Sequence, residues 1–260
     1  MIFYDQLNTK VTLNNYPKRI ISLVPSQSEL LWDLGLRNEI VGITKFCIHP
    51  TELYKTITRV GGTKTFDIEK IRNLEPDLII GNKEENEQIK IELLQKEFSV
   101  WISDIYNLDD SLAMINMVGD VVNKKTVAQK LSTEIKSSFD NLKQLNKKVL
   151  YLIWKNPYMG VGKATFIGDM LTKCGFENGL KDETLRYPEL TFDTIKEINP
   201  DVIFLSTEPY SFKEQHVLEF QNEFPRAQVK LVDGELFSWY GSRLKYSADY
   251  FNTILNSLTF

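Results

Sequence analysis

The chain repeats itself, and that repeat restricts its fold more than any other feature. Thr65-Phe66-Asp67-Ile68-Glu69-Lys70-Ile71-Arg72-Asn73-Leu74-Glu75-Pro76-Asp77-Leu78-Ile79-Ile80 returns as Thr191-Phe192-Asp193-Thr194-Ile195-Lys196-Glu197-Ile198-Asn199-Pro200-Asp201-Val202-Ile203-Phe204. Each copy reads as a Thr-Phe-Asp helix start, a short amphipathic helix, then Pro-Asp and an apolar strand, the second half of an αβ unit. One copy in each half of the chain predicts two lobes of similar fold, and two facing lobes imply a cleft.

A length of 260 residues accommodates two α/β domains of ordinary size. The net charge of −4, with 25% charged residues and no basic run, argues against a broad nucleic-acid or anionic-membrane surface. A small-molecule or protein partner is expected, with the chain acting as a monomer. Residues 1–18 contain no apolar signal core, and no stretch approaches the ~18 apolar residues of a membrane span, so the chain as written reads as soluble and not exported. A chain trimmed of its signal would read the same way. Cys47 and Cys174 fall in different halves, which argues against a disulfide.

The run 19–24 bounded by Pro25 reads as a buried parallel strand, after a short hairpin over Val11–Leu13. Ser26 or Ser28 is expected to cap the next helix, and Gly35 to stop it. Residues 41–46, 78–80 and 99–102 are further strands, with a helix around 88–96 and Trp101 in the core. From Lys124 to Asn146, Val127, Leu131, Ile135, Phe139, Leu142 and Leu145 recur at helical spacing, predicting one helix of about 23 residues, roughly 35 Å long. The second half restarts with a strand over 149–154 and a helix over 165–173 stopped by Gly175. Strands over 202–205 and 229–232, a polar helix over 213–223 and a closing helix over 244–258 complete it. The expected fold is α/β, with two Rossmann-like lobes, each a parallel sheet flanked by helices. An N-terminal lobe 1–122, a linking helix 123–147 and a C-terminal lobe 148–260 divide the chain.

With the strand leading to Pro25-Ser26, Val60-Gly61-Gly62, the segment Phe66–Asp77, the uninterrupted helix and the restarted second half in hand, the chain resembles a known family. It is similar to the helical-backbone periplasmic substrate-binding proteins of ABC importers, which deliver vitamin B12, haem or ferric siderophores. The cobalamin-binding branch is the nearest, through 19–25, Ser26–Glu29 and Trp239-Tyr240. The resemblance covers about residues 17–258. It implies a ligand held between two α/β lobes, no catalysis, no required cofactor, a periplasmic or extracytoplasmic location and an ABC permease as partner. Without a signal in the chain as written, a cytoplasmic location stays open.

Ligands of such sheets sit beyond the carboxyl ends of the strands. In the first half those ends carry Ser26, Phe46, Cys47, His49, Lys64, Asn82, Lys83 and Glu84. In the second half they carry Trp154, Tyr158, Arg186, Tyr187, Glu208, Trp239, Tyr240 and Arg243. Aromatic faces with a few donors and acceptors suit a flat, amide-edged macrocycle, whereas Arg186 and Arg243 suit the carboxylates of haem or a citrate-type siderophore. For Trp154, Trp239 and Tyr240 simple packing is the competing reading, and for Arg243 a salt bridge near a helix start.

Cys47 and His49 stand two apart, which in an extended segment puts both on one face, and both are metal ligands by type. Glu84 or Glu85 would have to complete a metal site, and cleft lining or packing without a metal are the alternatives. His216 lies in the polar helix and is expected to be solvated. Ser26 and Ser28 lack companions for a hydrolase triad, and Gly160-Val161-Gly162-Lys163 lacks the spacing of a phosphate loop. The resemblance also implies one permease-docking carboxylate on each lobe. Glu69 matches the first; the second aligns nearest Ser238, with Glu235 the closest substitute, and ordinary solvated charge is the alternative for both. Capture of a corrinoid or another metal chelate for import is the leading function. The alternatives are a cytoplasmic tetrapyrrole chelatase, with His49 and Glu84 or Glu85 as base and metal guide, and an intracellular corrinoid-binding relative.

Overall fold

The computed structural model describes residues 1–182 and 184–260. In chain order its elements are β1 (Ile2–Tyr4), β2 (Lys10–Thr12), β3 (Ile20–Ser22), α1 (Pro25–Asp33), β4 (Ile40–Ile43), α2 (Thr51–Thr56), β5 (Thr58–Arg59), α3 (Ile68–Asn73), β6 (Leu78–Asn82), α4 (Gln88–Gln95), β7 (Val100–Ser103), α5 (Leu108–Val121) and α6 (Lys125–Phe139). There follow β8 (Lys148–Trp154), β9 (Tyr158–Gly160), α7 (Phe166–Lys173), β10 (Glu177–Asn178), β11 (Glu189–Leu190), α8 (Phe192–Ile198), β12 (Val202–Ser206), α9 (Glu214–Glu223), β13 (Gln228–Val232), α10 (Gly234–Ser238) and α11 (Leu244–Asn256). Two compact units result. The first comprises Met1–Ile105, Asp109–Lys136 and Trp239–Lys245; the second comprises Tyr106–Leu108, Ser137–Ser238 and Tyr246–Phe260.

The first unit holds a parallel sheet ordered β5-β4-β3-β6-β7, with the β1–β2 hairpin alongside. Strand order reverses between β3 and β6, which makes their carboxyl ends the switch point where an open α/β sheet accepts ligands. Ile21, Leu23, Val60, Phe66, Ile79 and Leu94 lie in the apolar layer between this sheet and its helices, and Trp101 is fully buried in β7. The hairpin fastens to the outer strand: Gln6 N–H donates to the Ile102 carbonyl (3.1 Å), and Trp101 Nε1 donates to the Tyr4 carbonyl (3.2 Å). Side chains and backbone of the hairpin thereby cover what would be an open sheet edge.

The second unit orders its sheet β11-β9-β8-β12-β13, with β10 also paired to β8. Here β8, β10, β12 and β13 run parallel, while β9 and β11 are antiparallel additions on the other side of β8. The Gly160–Lys163 fragment belongs to that addition and to no phosphate site. Gly162 N–H donates to the Arg186 carbonyl at 2.8 Å, and a Cβ on Gly162 would lie 1.9 Å from the Leu185 carbonyl oxygen. Backbone contact this close admits glycine alone.

The two repeat copies use the same anchoring device. Asp77 N–H donates to the Arg19 carbonyl (3.0 Å), and its carboxylate accepts from Arg19 N–H (2.9 Å) and Lys18 N–H (2.7 Å). Asp201 N–H donates to the Lys148 carbonyl (2.9 Å), and its carboxylate accepts from Lys148 N–H (2.8 Å). The aspartate of each Pro-Asp thus ties the strand after the repeat helix to the first strand of its sheet, fixing the registers β6·β3 and β12·β8. The copies cap their helices differently: Asp67 accepts from Lys70 N–H before α3, and Thr191 accepts from Thr194 N–H before α8.

Two local expectations are corrected. The helix predicted over 124–146 spans Lys125–Phe139, about 22 Å. Beyond it the backbone turns to tertiary partners: Lys143 N–H donates to Asn252 Oδ1 (3.0 Å) and Leu145 N–H to the Cys174 carbonyl (3.1 Å). Leu142 therefore keeps its burial without helical conformation. Likewise neither Ser26 nor Ser28 caps α1, because Pro25 already occupies its first turn and Val24 precedes it; Ser28 Oγ instead bonds the Val24 carbonyl (2.9 Å) and Ser22 Oγ (2.8 Å). Gly35 and Gly175 end α1 and α7 at φ +83° and +75°, as expected.

Asp201→Ala removes a half-buried acceptor and leaves Lys148 N–H unmatched. Chemical denaturation should show a loss of about 1–2 kcal/mol for Asp201→Ala and less for Asp77→Ala, whose side chain is exposed. Equal, negligible losses in both variants would contradict the anchoring role.

Candidate functional site

At the switch point of the first unit, a buried polar cluster joins β6, β7 and α1. Asn82, the last residue of β6, donates through Nδ2 to Ser103 Oγ (2.9 Å), and Gln27 Nε2 donates to the same oxygen (2.5 Å). Ser103 Oγ passes its own proton to the Gly81 carbonyl (3.2 Å), so the hydroxyl is consistently used. Asn82 Oδ1 accepts from the backbone N–H groups of Glu84 (2.9 Å) and Glu85 (3.0 Å), folding the loop after β6 into a fixed turn. Asn86 Oδ1 accepts from Asn82 N–H at 2.8 Å, while its Nδ2 donates to the carbonyls of Thr63 (2.9 Å) and Leu23 (3.2 Å). Of the predicted rim residues, Ser26 and Asn82 are buried, whereas Lys64, Lys83 and Glu84 remain exposed. Lys83 pairs with Asp104 at 2.7 Å. The Glu85 carboxyl is held above its ordinary value by lost hydration and by Glu84, with Lys64 pulling the other way.

Trp239, Tyr240 and Arg243 do not stand at the rim of the second unit, where their place in the sequence put them. They form a strap that belongs to the first unit. Arg243 grips Glu29 of α1 through Nε and an Nη atom, both at 2.9 Å, with both side chains largely buried. The guanidinium carbon lies 4.7 Å from the centre of the Trp239 ring, and the edge of His49 meets that ring at 5.6 Å. Lys245 pairs with Asp33, one turn further along α1, at 2.9 Å. Burial pushes the Glu29 carboxyl up, and Arg243 opposes that shift. Gly241, at φ +112°, donates its N–H to Ser111 Oγ (3.3 Å), and a Cβ there would lie 3.2 Å from the Ser26 carbonyl. Arg243 is therefore a structural partner of Glu29, and Trp239 and Tyr240, each 8% exposed, are chiefly packing residues. The Tyr240 hydroxyl is pushed up by burial and by Glu85 and Glu84, opposed by Ser26 and Ser103.

Cys47 and His49 are split by a turn. Cys47 N–H returns to the Thr44 carbonyl (3.2 Å), and the thiol is wholly buried, 3.0 Å from Ser28 Oγ and 3.2 Å from Thr44 Oγ1. Burial raises the thiol further above its ordinary value. The expected shared face is lost because the segment is bent where an extended one was assumed. Among the described residues, no three His, Cys, Asp or Glu gather as a metal cluster. Phe46, in contrast, is half exposed beneath Lys45.

In the second unit, Trp154 ends β8 and is 39% exposed, its ring edge-on to Tyr210 at 5.8 Å. Tyr158 stacks on Phe192 (5.2 Å) and donates its hydroxyl to Glu219 (2.9 Å); Lys155 pairs with the other oxygen of Glu219 at 2.6 Å. Arg186 lies over Tyr106 (5.1 Å) and Tyr187 (5.6 Å), and Glu208 accepts from Ser238 Oγ (2.9 Å). His216 is buried, in place of the expected solvated position: its Nδ1 accepts the Lys213 N–H at 2.9 Å, and its ring packs on Phe212 at 5.4 Å.

A groove of about 710 Å³ opens at the other end of the first sheet, lined by residues 12–16, Lys18, Pro76, Asp77 and 97–99. It lies at the amino ends of β6 and β7, where Asp77 and Glu97 are engaged with Arg19 and Arg72, so its size does not make it the functional site.

The family model of the periplasmic binding proteins matches residues 20–225. The chain belongs to that family. Among its relatives, the vitamin B12-binding protein of Pectobacterium atrosepticum is 25% identical over 244 residues, 89% of this chain and 86% of that protein. An ABC transporter substrate-binding lipoprotein of Bacillus subtilis is 26% identical over 212 residues, 76% of this chain and 67% of that one. The periplasmic vitamin B12-binding protein BtuF of Vibrio cholerae shares the fold with a TM-score of 0.77 at 22% identity, over 93% of this chain and 97% of BtuF. The haem-binding protein BhuT, solved with two haems, does so at 0.78 and 19%, over 92% and 97%. Among the described residues no helix is long and apolar enough to cross a membrane.

Reading the sequence for strand ends reached Gln27 but missed Ser103, Asn86, Glu29 and Glu219 as groups that position their neighbours from outside the expected loops. Gly81 held one available signal: a Cβ there would meet Asn86 Oδ1 at 2.7 Å.

Two outcomes follow from this geometry. Cys47, and Cys174 with its thiol pushed up to about 12 by burial, should resist an aromatic disulfide reagent in the native protein at pH 8 and react promptly once denatured. Native-state labelling of Cys47 as fast as an exposed thiol would overturn its placement. His216 is shifted below its ordinary 6.5 by burial, with Lys155 contributing, so between 6.5 and its folded value the unfolded chain binds a proton the folded chain does not. Stability is then full above 6.5 and declines as pH falls; His216→Gln should flatten that decline in urea titrations across pH 4–7, each pKa unit amounting to about 1.4 kcal/mol.

Proposed function

We propose that the chain captures a flat metal chelate, a corrinoid foremost, and hands it to an ABC-type importer outside the cytoplasm. The observation that carries this reading is family membership together with similarity to vitamin B12-binding proteins along most of the chain. The rims support it chemically. The first unit offers Phe46, His49 and the Asn82-anchored Glu84–Glu85 turn; the second offers Trp154, Tyr158, Tyr187 and Arg186. Aromatic faces bury apolar macrocycle area, and short polar groups meet the amide edge. Haem and ferric siderophores are the neighbouring ligand classes, with Arg186 placed to receive a carboxylate. We assign permease docking to Glu69, which is ion-paired to Arg72 on the surface, and to the half-buried Glu235 near the start of α10.

Trp154 is the exposed tryptophan; Trp32, Trp101 and Trp239 are buried. Adding cyanocobalamin or cobinamide should quench its emission stoichiometrically at or below about micromolar concentration, and Trp154→Ala should weaken binding roughly tenfold, the loss of about 1.4 kcal/mol of aromatic contact. Failure of corrinoids, haemin and ferric siderophores alike to bind would sink this function. Catalytic metal insertion into sirohydrochlorin by the protein would replace it with the chelatase reading.

A further inference from the structure

The turn that carries Trp154 is fastened at two points to one helix. Glu219 on α9 reaches the turn with both carboxylate oxygens, one taking Lys155 Nζ at 2.6 Å and the other the Tyr158 hydroxyl at 2.9 Å. Lys155 and Tyr158 bracket Asn156, which sits at φ +65°. One turn earlier on α9, the His216 ring supports Tyr210 (5.8 Å), and Tyr210 in turn meets the Trp154 ring edge-on (5.8 Å). His216 is held by the Lys213 N–H at its Nδ1. Backbone and ring of the Trp154 segment are thus both referred to the same face of α9.

The energetics suit positioning better than stability. The Glu219 side chain is 38% exposed, and an ion pair of that exposure contributes little to folding. An aromatic presented at the end of a strand beside a hairpin turn, however, loses affinity for every degree of freedom that binding must freeze. We propose that Glu219 is a positioning residue, holding the Trp154–Tyr158 turn in the geometry that presents the Trp154 ring to ligand, with His216 keeping Tyr210 behind that ring. This rests on the assignment of Trp154 to ligand contact. It carries a pH dependence. The charged and titratable groups facing His216 are Lys155 from the turn, Tyr210 from its loop, and Lys213 and Glu219 from its own segment. Protonation at Nδ1 removes the acceptor for Lys213 N–H and sets a cation against Lys155, so the brace loosens in acid.

The test uses the full chain labelled with 5-fluorotryptophan, Trp154→Phe assigning the relevant fluorine resonance. In Glu219→Gln the Trp154 resonance should move, acrylamide should quench more efficiently, and cyanocobalamin affinity should fall about fivefold, while the resonances of Trp32, Trp101 and Trp239 and the melting temperature hold. Lys155→Met should reproduce part of the change and Lys155→Arg should restore it. In the parent protein the Trp154 resonance should titrate below pH 6.5, and His216→Gln should abolish that titration. An unmoved Trp154 resonance in Glu219→Gln overturns the proposal, as does a concerted shift of all four resonances with the melting temperature, which marks a general structural role. If the Trp154 resonance moves while Trp154→Phe binds cyanocobalamin like the parent, the brace stands and the ligand assignment of Trp154 falls.

Discussion

Each sheet depends on one aspartate. Asp77 and Asp201 give their strands a double tie, through backbone and carboxylate, to the strand that opens the sheet. Parallel strands have no hairpin to set their register, because the partner arrives after a long crossover. A charge-assisted tie at the entry of the second strand supplies what the missing turn would have supplied. Every rim residue downstream inherits its place from this: Asn82 ends β6 four residues after its first paired position, and Ser206 and Glu208 follow β12 in the same sense.

Much of this was legible in the residues, for a physical reason. Burial on both faces makes parallel strands read as apolar runs, and Thr-Phe-Asp and Pro-Asp mark helix starts and strand entries wherever they occur. Local chemistry sufficed for Gly35, Gly175, Trp101 and both repeat copies. It failed where a distant group decides the outcome. Leu142 and Leu145 keep helical spacing, but Asn252 and Cys174 draw their backbone out of the helix. Cys47 and His49 share a face only in an extended strand, whereas here the backbone bends at Phe46–Ile48, Cys47 is buried against Ser28 and Thr44, and His49 meets Trp239. His216 reads as solvated because helix periodicity cannot show that Lys213 N–H and two aromatic rings claim it.

The site is legible only in part, since its first-named residues divide into two kinds. Phe46, Glu84, Trp154 and Arg186 keep surface to offer, whereas Asn82, Trp239, Tyr240 and Arg243 are committed to holding their own unit together. The side chains that fix the neighbours of these groups carry no recognisable motif: Ser103 receives two amides, and Glu219 answers both sides of one turn.

The strap from Trp239 to Lys245 has a consequence for biogenesis. Chains emerge from the ribosome amino end first, and domains usually close as they appear. Here the first unit lacks its last segment until residue 245 is made, long after the second sheet has been synthesised. Until then Glu29 waits without Arg243, an acid destined for burial with no cation to meet it. A nascent or truncated chain ending before the strap is therefore an incomplete first unit, whatever its secondary structure.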